Sequence, residues 1–172
     1  MPKLIKNVRE ELLRVARGQL MRLGYAKTTM RSVAGECGLA VGTVYNYFES
    51  KDMLIATFVA DDWRDISREI SAFSKESSRE FFKFVYDSLV KFSEAHDYLF
   101  RDRDAAVVFS SVQRKWHGYL QDQLAHEIAL IDDVKRSHNS ELLSKFLAES
   151  LLYWTMDGMD FEILYSILAR LI

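Results

Sequence analysis

The chain has 172 residues, 49% hydrophobic and 28% charged, the size and balance of one globular domain or of one domain with an appended module. Its single cysteine, Cys37, excludes a disulfide framework and a cysteine-built zinc site, and no apolar run approaches the ~18 residues of a membrane span. The net charge of −2 hides an asymmetry: residues 1–51 hold nine Lys and Arg against four Asp and Glu, a balance of +5, and residues 52–172 carry −7, so a polyanionic partner is expected for the first third. No apolar stretch followed by a small-residue cleavage site opens the sequence, and a cytoplasmic location is expected. Pro2 is the only proline, and only Gly118 and Gly158 follow Gly42. That is too few turn formers for a β-rich chain, so the fold class is all-α.

A first helix is expected over about 4–23. Ile5, Val8, Leu12, Ala16, Leu20 and Leu23 recur at the spacing of one buried stripe, with Arg9, Arg14, Arg17 and Arg22 mostly off it. Gly24 suits the position just past a helix end. Thr28 or Thr29 caps a second helix, about 29–36, in which Val33, Ala34 and Cys37 face inward. Gly38 marks a turn, a third helix occupies about 41–48, and Ser50 caps a fourth with Asp52 in its first turn.

Residues 28–48 therefore read as helix, glycine-containing turn, helix, the pattern in which the second helix enters a DNA major groove by its N-terminal end. Val44 and Phe48 anchor the third helix to the core, while Val41, Gly42, Thr43, Tyr45 and Asn46 project toward the groove. Gly42 and Thr43 are small enough for close approach, and the helix N-terminus favours phosphate. Tyr45 and Tyr47 can donate to phosphate oxygens, and Lys51 adds a point charge.

The ordered series Leu12, Ala16, Leu20, Gly24-Tyr25, Thr28-Thr29, Val33-Ala34, Gly38-Leu39, Gly42-Thr43-Val44-Tyr45, Tyr47-Phe48, Lys51 and Leu54 resembles the TetR family of bacterial transcriptional regulators over about residues 9–54. The resemblance implies an N-terminal helix-turn-helix DNA-binding domain at 1–50 and a helical ligand-binding and dimerisation domain at 51–172. It also implies a homodimer on a palindromic double-stranded operator. By matching position, Thr29, Tyr45, Tyr47 and Lys51 are the expected phosphate contacts, with Thr28 and Gly42 beside them. Arg31, Val41, Thr43 and Asn46 are the expected groove readers. Two positions depart from the pattern. Ala40 stands where the family has Ser or Thr, forgoing about 1 kcal/mol of capping, and Gly35 weakens the second helix by up to ~1 kcal/mol.

A fourth helix, about 51–73, carries Leu54, Ile55, Phe58, Val59, Trp63, Ile66 and Ile70. A fifth covers about 77–96, and a bend or short helix is expected at 97–103. A long helix at about 104–129 bears Val108, Val112, Trp116, Leu120 and Leu124, and a polar loop follows at 132–140. In 141–157, Leu142, Phe146 and Tyr153 lie near one stripe, while Leu143, Leu147, Leu151 and Trp154 form another. In 160–172 the apolar residues leave little polar face. Helices apolar on two sides are buried on two sides. The expected interface with a second copy is therefore Leu143, Leu147, Leu151, Trp154, Leu164, Leu168 and Leu171.

The rings of Phe84, Tyr86, Phe109, Trp116 and Tyr119, with His117 and Arg114 as polar anchors, are the expected wall of a pocket for a small, mostly apolar inducer. The four histidines show no i, i+3 or i+4 pairing, no glycine-rich phosphate loop follows a strand, and no catalytic constellation, metal or cofactor is expected. The expected function is a ligand-released repressor. The competing reading is an architectural or cell-division DNA-binding protein whose second domain binds a protein; a helical enzyme would need converging acid–base groups.

Overall fold

The structure, a computed structural model, describes residues 7–172, and their side chains except those of Phe100 and residues 106–116. Ile5, Val108 and Val112 of the expected stripes lie outside these. The described residues form helices α1 (Val8–Leu23), α2 (Met30–Cys37), α3 (Val41–Tyr45), α4 (Lys51–Ala72), α5 (Ser78–Phe100), α6 (Arg103–Ile128), α7 (Asp132–Lys135), α8 (Ser140–Met156) and α9 (Phe161–Leu168), with no strand among them. The all-α expectation is met. Three boundaries differ from the sequence reading. The bend expected at 97–103 shrinks to Arg101 and Asp102, because α5 continues to Phe100. The polar loop at 132–140 contains the single turn α7, held by the buried Val134. The third helix stops at Tyr45 rather than 48, although Tyr47 and Phe48 still donate to the Val44 carbonyl at 3.0 Å.

The chain packs as two compact units. The first comprises the residues up to Trp63 together with His96–Ser110, the second Arg64–Ala95 with Ser111–Ile172. In the first unit Leu12, Ala16, Leu20, Val33, Val44, Leu54 and Ile55 form a core with Phe58, Leu99 and Ala105. Each fully buried side chain of this kind contributes about 1.5–3 kcal/mol. Polar ties fix the helices around that core. The buried Gln19 of α1 donates to the Ser32 carbonyl at 3.0 Å and to Glu36 at 2.7 Å, and accepts from the Ser32 hydroxyl at 2.7 Å. Asp62 of α4 binds Arg17 of α1 at 2.6 Å and the buried His96 of α5 at 3.0 Å. Gly38 ends α2 in the left-handed region at φ 68°, and Leu39 N–H closes back on the Ala34 carbonyl at 2.9 Å.

The second unit is built on Ile70, Phe81, Phe82, Val85, Leu89, Leu124, Ile128, Leu147 and Leu151, all buried. Its rim is ionic: Lys75 meets Glu127 at 3.1 Å, and Arg79 meets Glu162 at 2.6 Å with its guanidinium over the Tyr165 ring. Here the structure corrects the expected interface. Leu147, Leu151, Leu164 and Leu168 are buried within the chain itself and Leu143 is half-buried, leaving only Trp154 and Leu171 of that set exposed. Exposed instead are Leu142 (70%), Phe146, Tyr153 and Met156 of α8, and Ile163 (57%) and Ile167 of α9. Both stripes of α8 are apolar, so periodicity alone could not say which one met the chain's own core.

Candidate nucleic-acid interface

The site begins with α2, α3 and the first turn of α4, held on the first core. Thr29 caps α2 reciprocally with Ser32: Ser32 N–H donates to the Thr29 hydroxyl at 3.0 Å, and Thr29 N–H to the Ser32 hydroxyl at 2.9 Å. Ser50 caps α4, accepting from Met53 N–H at 3.1 Å, as its residue type predicts. Between them α3 is anchored by Val44, which is completely buried, and by the adjoining Phe48.

The first turns of α2 and α4 and the outer side of α3 then line one open concavity of about 430 Å³, bounded by Thr28, Thr29, Met30, Arg31, Val41, Tyr45, Glu49, Ser50 and Lys51. Arg31 and Lys51 put two cations there, with Glu49 opposing them. Tyr45 is 52% exposed, so its hydroxyl is open to a partner. The positive ends of α2 and α4 add to an anion-favouring field. Lys51 is not a loose surface cation. Its ammonium donates to the Tyr25 carbonyl at 2.8 Å and sits 3.5 Å from the Tyr25 ring centroid. Burial lowers its pKa, opposed by Asp52, Asp102 and Asp104. The Tyr25 phenol is pushed upward by burial first and then by its hydrogen bond to Asp52.

Of the expected DNA contacts, the structure brings Thr29, Arg31, Val41, Tyr45 and Lys51 around this concavity. Gly42, Asn46 and Tyr47 are exposed beside it and Thr43 is half-buried, all outside its lining. Thr28 needs correction. It is fully buried and its hydroxyl donates to the Gly24 carbonyl at 2.9 Å, so it packs the α1–α2 corner and presents no hydroxyl to a phosphate. The α3 end expected to attract phosphate belongs to a helix of five residues whose Ala40 cap makes no side-chain bond, and the longer α2 and α4 also start at the concavity. Met30, Glu49 and Ser50 also line the concavity and are not among the expected contacts; adjacency to Arg31 and Lys51 is the signal the sequence offers for them.

Gly42 carries a separate clue. A Cβ built there meets nothing within 4 Å, and its φ is not positive. Nothing in the packing of the described residues requires glycine at the start of α3.

The expected pocket residues do not gather in the same way. Phe84 stacks on Phe73 at 4.2 Å, and Tyr86 donates to the Met159 carbonyl at 3.0 Å while its ring tilts against Phe161. His117 pairs with Glu149 at 2.8 Å, and Tyr119 is exposed, accepting from Gln123 at 2.8 Å. Phe109, Arg114 and Trp116 lie outside the described side chains. No group of three or more His, Cys, Asp or Glu suited to a metal occurs among the described residues, nor any helix long and apolar enough to cross a membrane.

Comparison with known proteins agrees with this geometry. Residues 12–57 match the family described as bacterial regulatory proteins, tetR family. A TetR-like transcriptional regulator from Rhodococcus sp. RHA1 shares 20% identity, covering 98% of this chain and 96% of its own, at a TM-score of 0.54. SmeT in complex with triclosan shares 17% identity over 95% of this chain and 88% of its own, at a TM-score of 0.62. FadR of Thermus thermophilus, a TetR-family repressor in complex with lauroyl-CoA, shares 18% over 95% and 92%, at 0.55. A search of the curated proteins finds no match.

Proposed function

We propose that this chain, whose residues 12–57 match the tetR family of bacterial regulatory proteins, is a dimeric transcriptional repressor released from a palindromic operator by a small, mostly apolar ligand. The observation that carries the DNA-binding part is the concavity in which Thr29, Arg31, Tyr45 and Lys51 converge at the first turns of α2 and α4. Tyr45 and Lys51 contact phosphates and set affinity across all sequences. Val41, Thr43 and Asn46 on and beside α3 reach base edges, where Asn46 pairs with adenine N6 and N7. Gly42 lets the α3 backbone approach the groove closely. Two copies place two α3 helices at half-sites about one helical turn, ~34 Å, apart. The exposed apolar faces of α8 and α9 form the contact between copies.

Release follows if a ligand binds better to a form whose two α3 helices no longer match that spacing. A 100-fold loss of operator affinity requires ~2.7 kcal/mol of coupling. Similar folds in complex with triclosan and with lauroyl-CoA, one ligand apolar and the other bearing an apolar acyl chain, support a ligand with a large apolar part. A base-resolution genomic footprint tests the proposal by delivering the operator. Binding to it is then titrated with apolar compounds that raise the thermal midpoint. A palindromic footprint that disappears on ligand addition is expected. Compounds that stabilise the protein yet leave operator affinity unchanged would remove the switch. A non-palindromic or diffuse footprint would favour an architectural DNA-binding protein.

A further inference from the structure

Lys51 reaches the concavity from a place that its own helix does not fix. Its ammonium rests on Tyr25, bonded to the carbonyl at 2.8 Å and lying over the ring at 3.5 Å. Tyr25 is in turn held at its other polar groups. Its hydroxyl donates to Asp52, and its backbone N–H donates to Asp102 Oδ2 at 2.9 Å, across 77 positions of sequence. The other oxygen of Asp102 accepts from Asp104 N–H at 3.0 Å and Ala105 N–H at 3.2 Å, which caps α6. One carboxylate thus closes two structures, the start of α6 and the loop after α1. Gly24, at φ 78°, gives the loop a turn that a side chain would strain, and it lies beside Asp102, whose Oδ2 would be in ordinary contact, 3.5 Å, with a Cβ there.

We propose that Asp102 is a positioning residue for DNA binding, which fixes the Tyr25 backbone and thereby holds the Lys51 ammonium at the edge of the concavity. The inference rests on the DNA-binding reading above and adds to it a residue far outside the helix-turn-helix. Without the Asp102 bond the Tyr25 amide loses its anchor, the Tyr25 carbonyl and ring shift together, and Lys51 follows them away from the phosphate. The amide bonds to Asp102, that of Tyr25 first, hold its carboxyl below the usual range, so it keeps both acceptors at neutral pH.

Asp102→Asn separates this role from simple helix capping. Asparagine caps helices about as well as aspartate, so its oxygen can still serve α6. Its amide nitrogen is a donor and cannot accept from Tyr25 N–H. Binding to a mixed-sequence DNA duplex, titrated from 50 to 200 mM salt, is measured for the unmodified chain, Asp102→Asn, Lys51→Ala and the double variant. Asp102→Asn should flatten the slope of log affinity against log salt by about 0.9 for each phosphate that Lys51 no longer neutralises. In the Lys51→Ala background it should have no further effect. An unchanged slope, or an equal effect in both backgrounds, overturns the inference. If Asp102→Asn does not fold, Asp102→Ser takes its place, because serine caps α6 but is too short to reach Tyr25. Failure of the unmodified chain to bind any duplex removes the DNA reading and this inference together. Binding that depends on Lys51 but not on Asp102 removes the inference alone.

Discussion

Gly42 shares with Gly35 and Gly118 a φ that is not positive and open space where a Cβ would stand, and of the three it lies beside the proposed DNA interface. Alanine is favoured over glycine in a helix by up to ~1 kcal/mol, and a methyl at this position touches nothing. Gly42→Ala should therefore leave the thermal midpoint equal or higher while weakening DNA binding; a variant both more stable and fully DNA-competent would place Gly42 outside the interface. Tyr45→Phe and Lys51→Ala should each weaken binding across all sequences, and Lys51→Ala should also reduce the salt slope by about 1. If the two together leave affinity unchanged in a filter or fluorescence titration, the docking geometry is wrong. Asp102 adds a pH dependence whose sign follows from its lowered pKa. A carboxylate stabilised in the folded state contributes fully above its ordinary value of 3.8 and loses that contribution as pH falls through the lowered one. Urea midpoints of the unmodified chain and Asp102→Asn should be fully separated above about pH 4 and converge as pH falls through the lowered pKa.

Among the elements of the proposed DNA interface, α3 is the least secured by its own sequence. It has five residues and an alanine cap with no side-chain bond, and its place comes from Val44 and Phe48 on the core. Ala40→Ser should stabilise the protein by about 0.5–1 kcal/mol, read as a higher denaturation midpoint, with DNA affinity equal or better. A lower midpoint would mean that the serine oxygen does not reach the first-turn amides. α2 shows the opposite case: Thr28-Thr29 and Gly38 mark its two ends in the sequence, and the structure uses Thr29 and Gly38, with Ser32 completing the cap. Local chemistry sufficed there because capping and left-handed closure involve neighbours within a few residues. The end of α5 was not legible in this way, since Leu99 and Ala105 are drawn into the first core by contacts distant in sequence.

At the scale of the whole molecule, the exposed faces of α8 and α9 are the proposed contact between copies. Ile163 and Ile167, four apart and more than half exposed, can accept charge without entering the chain's core. The double substitution Ile163→Glu and Ile167→Glu should give a folded monomer by light scattering and circular dichroism. Leu164→Glu and Leu168→Glu should instead unfold the second unit, because a buried unpaired carboxylate costs several kcal/mol. Micromolar unmodified protein that is already a compact monomer would defeat the two-copy reading. The α8 stripe holding Leu147 and Leu151 was readable as apolar, but its destination was not.

The order of residues alone determined the helical class, the helix-turn-helix and most of the residues that meet at its concavity. All of these depend on periodicity, capping and turn chemistry acting over a few positions. Tertiary structure decided the rest. It buried Thr28 against Gly24 and turned the Leu147–Leu151 stripe inward. It also set Lys51 on a tyrosine whose amide is held from 77 residues away. Such outcomes are fixed by which surfaces meet in space, and two equally apolar stripes or two adjacent threonines become different only once the remaining helices have packed around them.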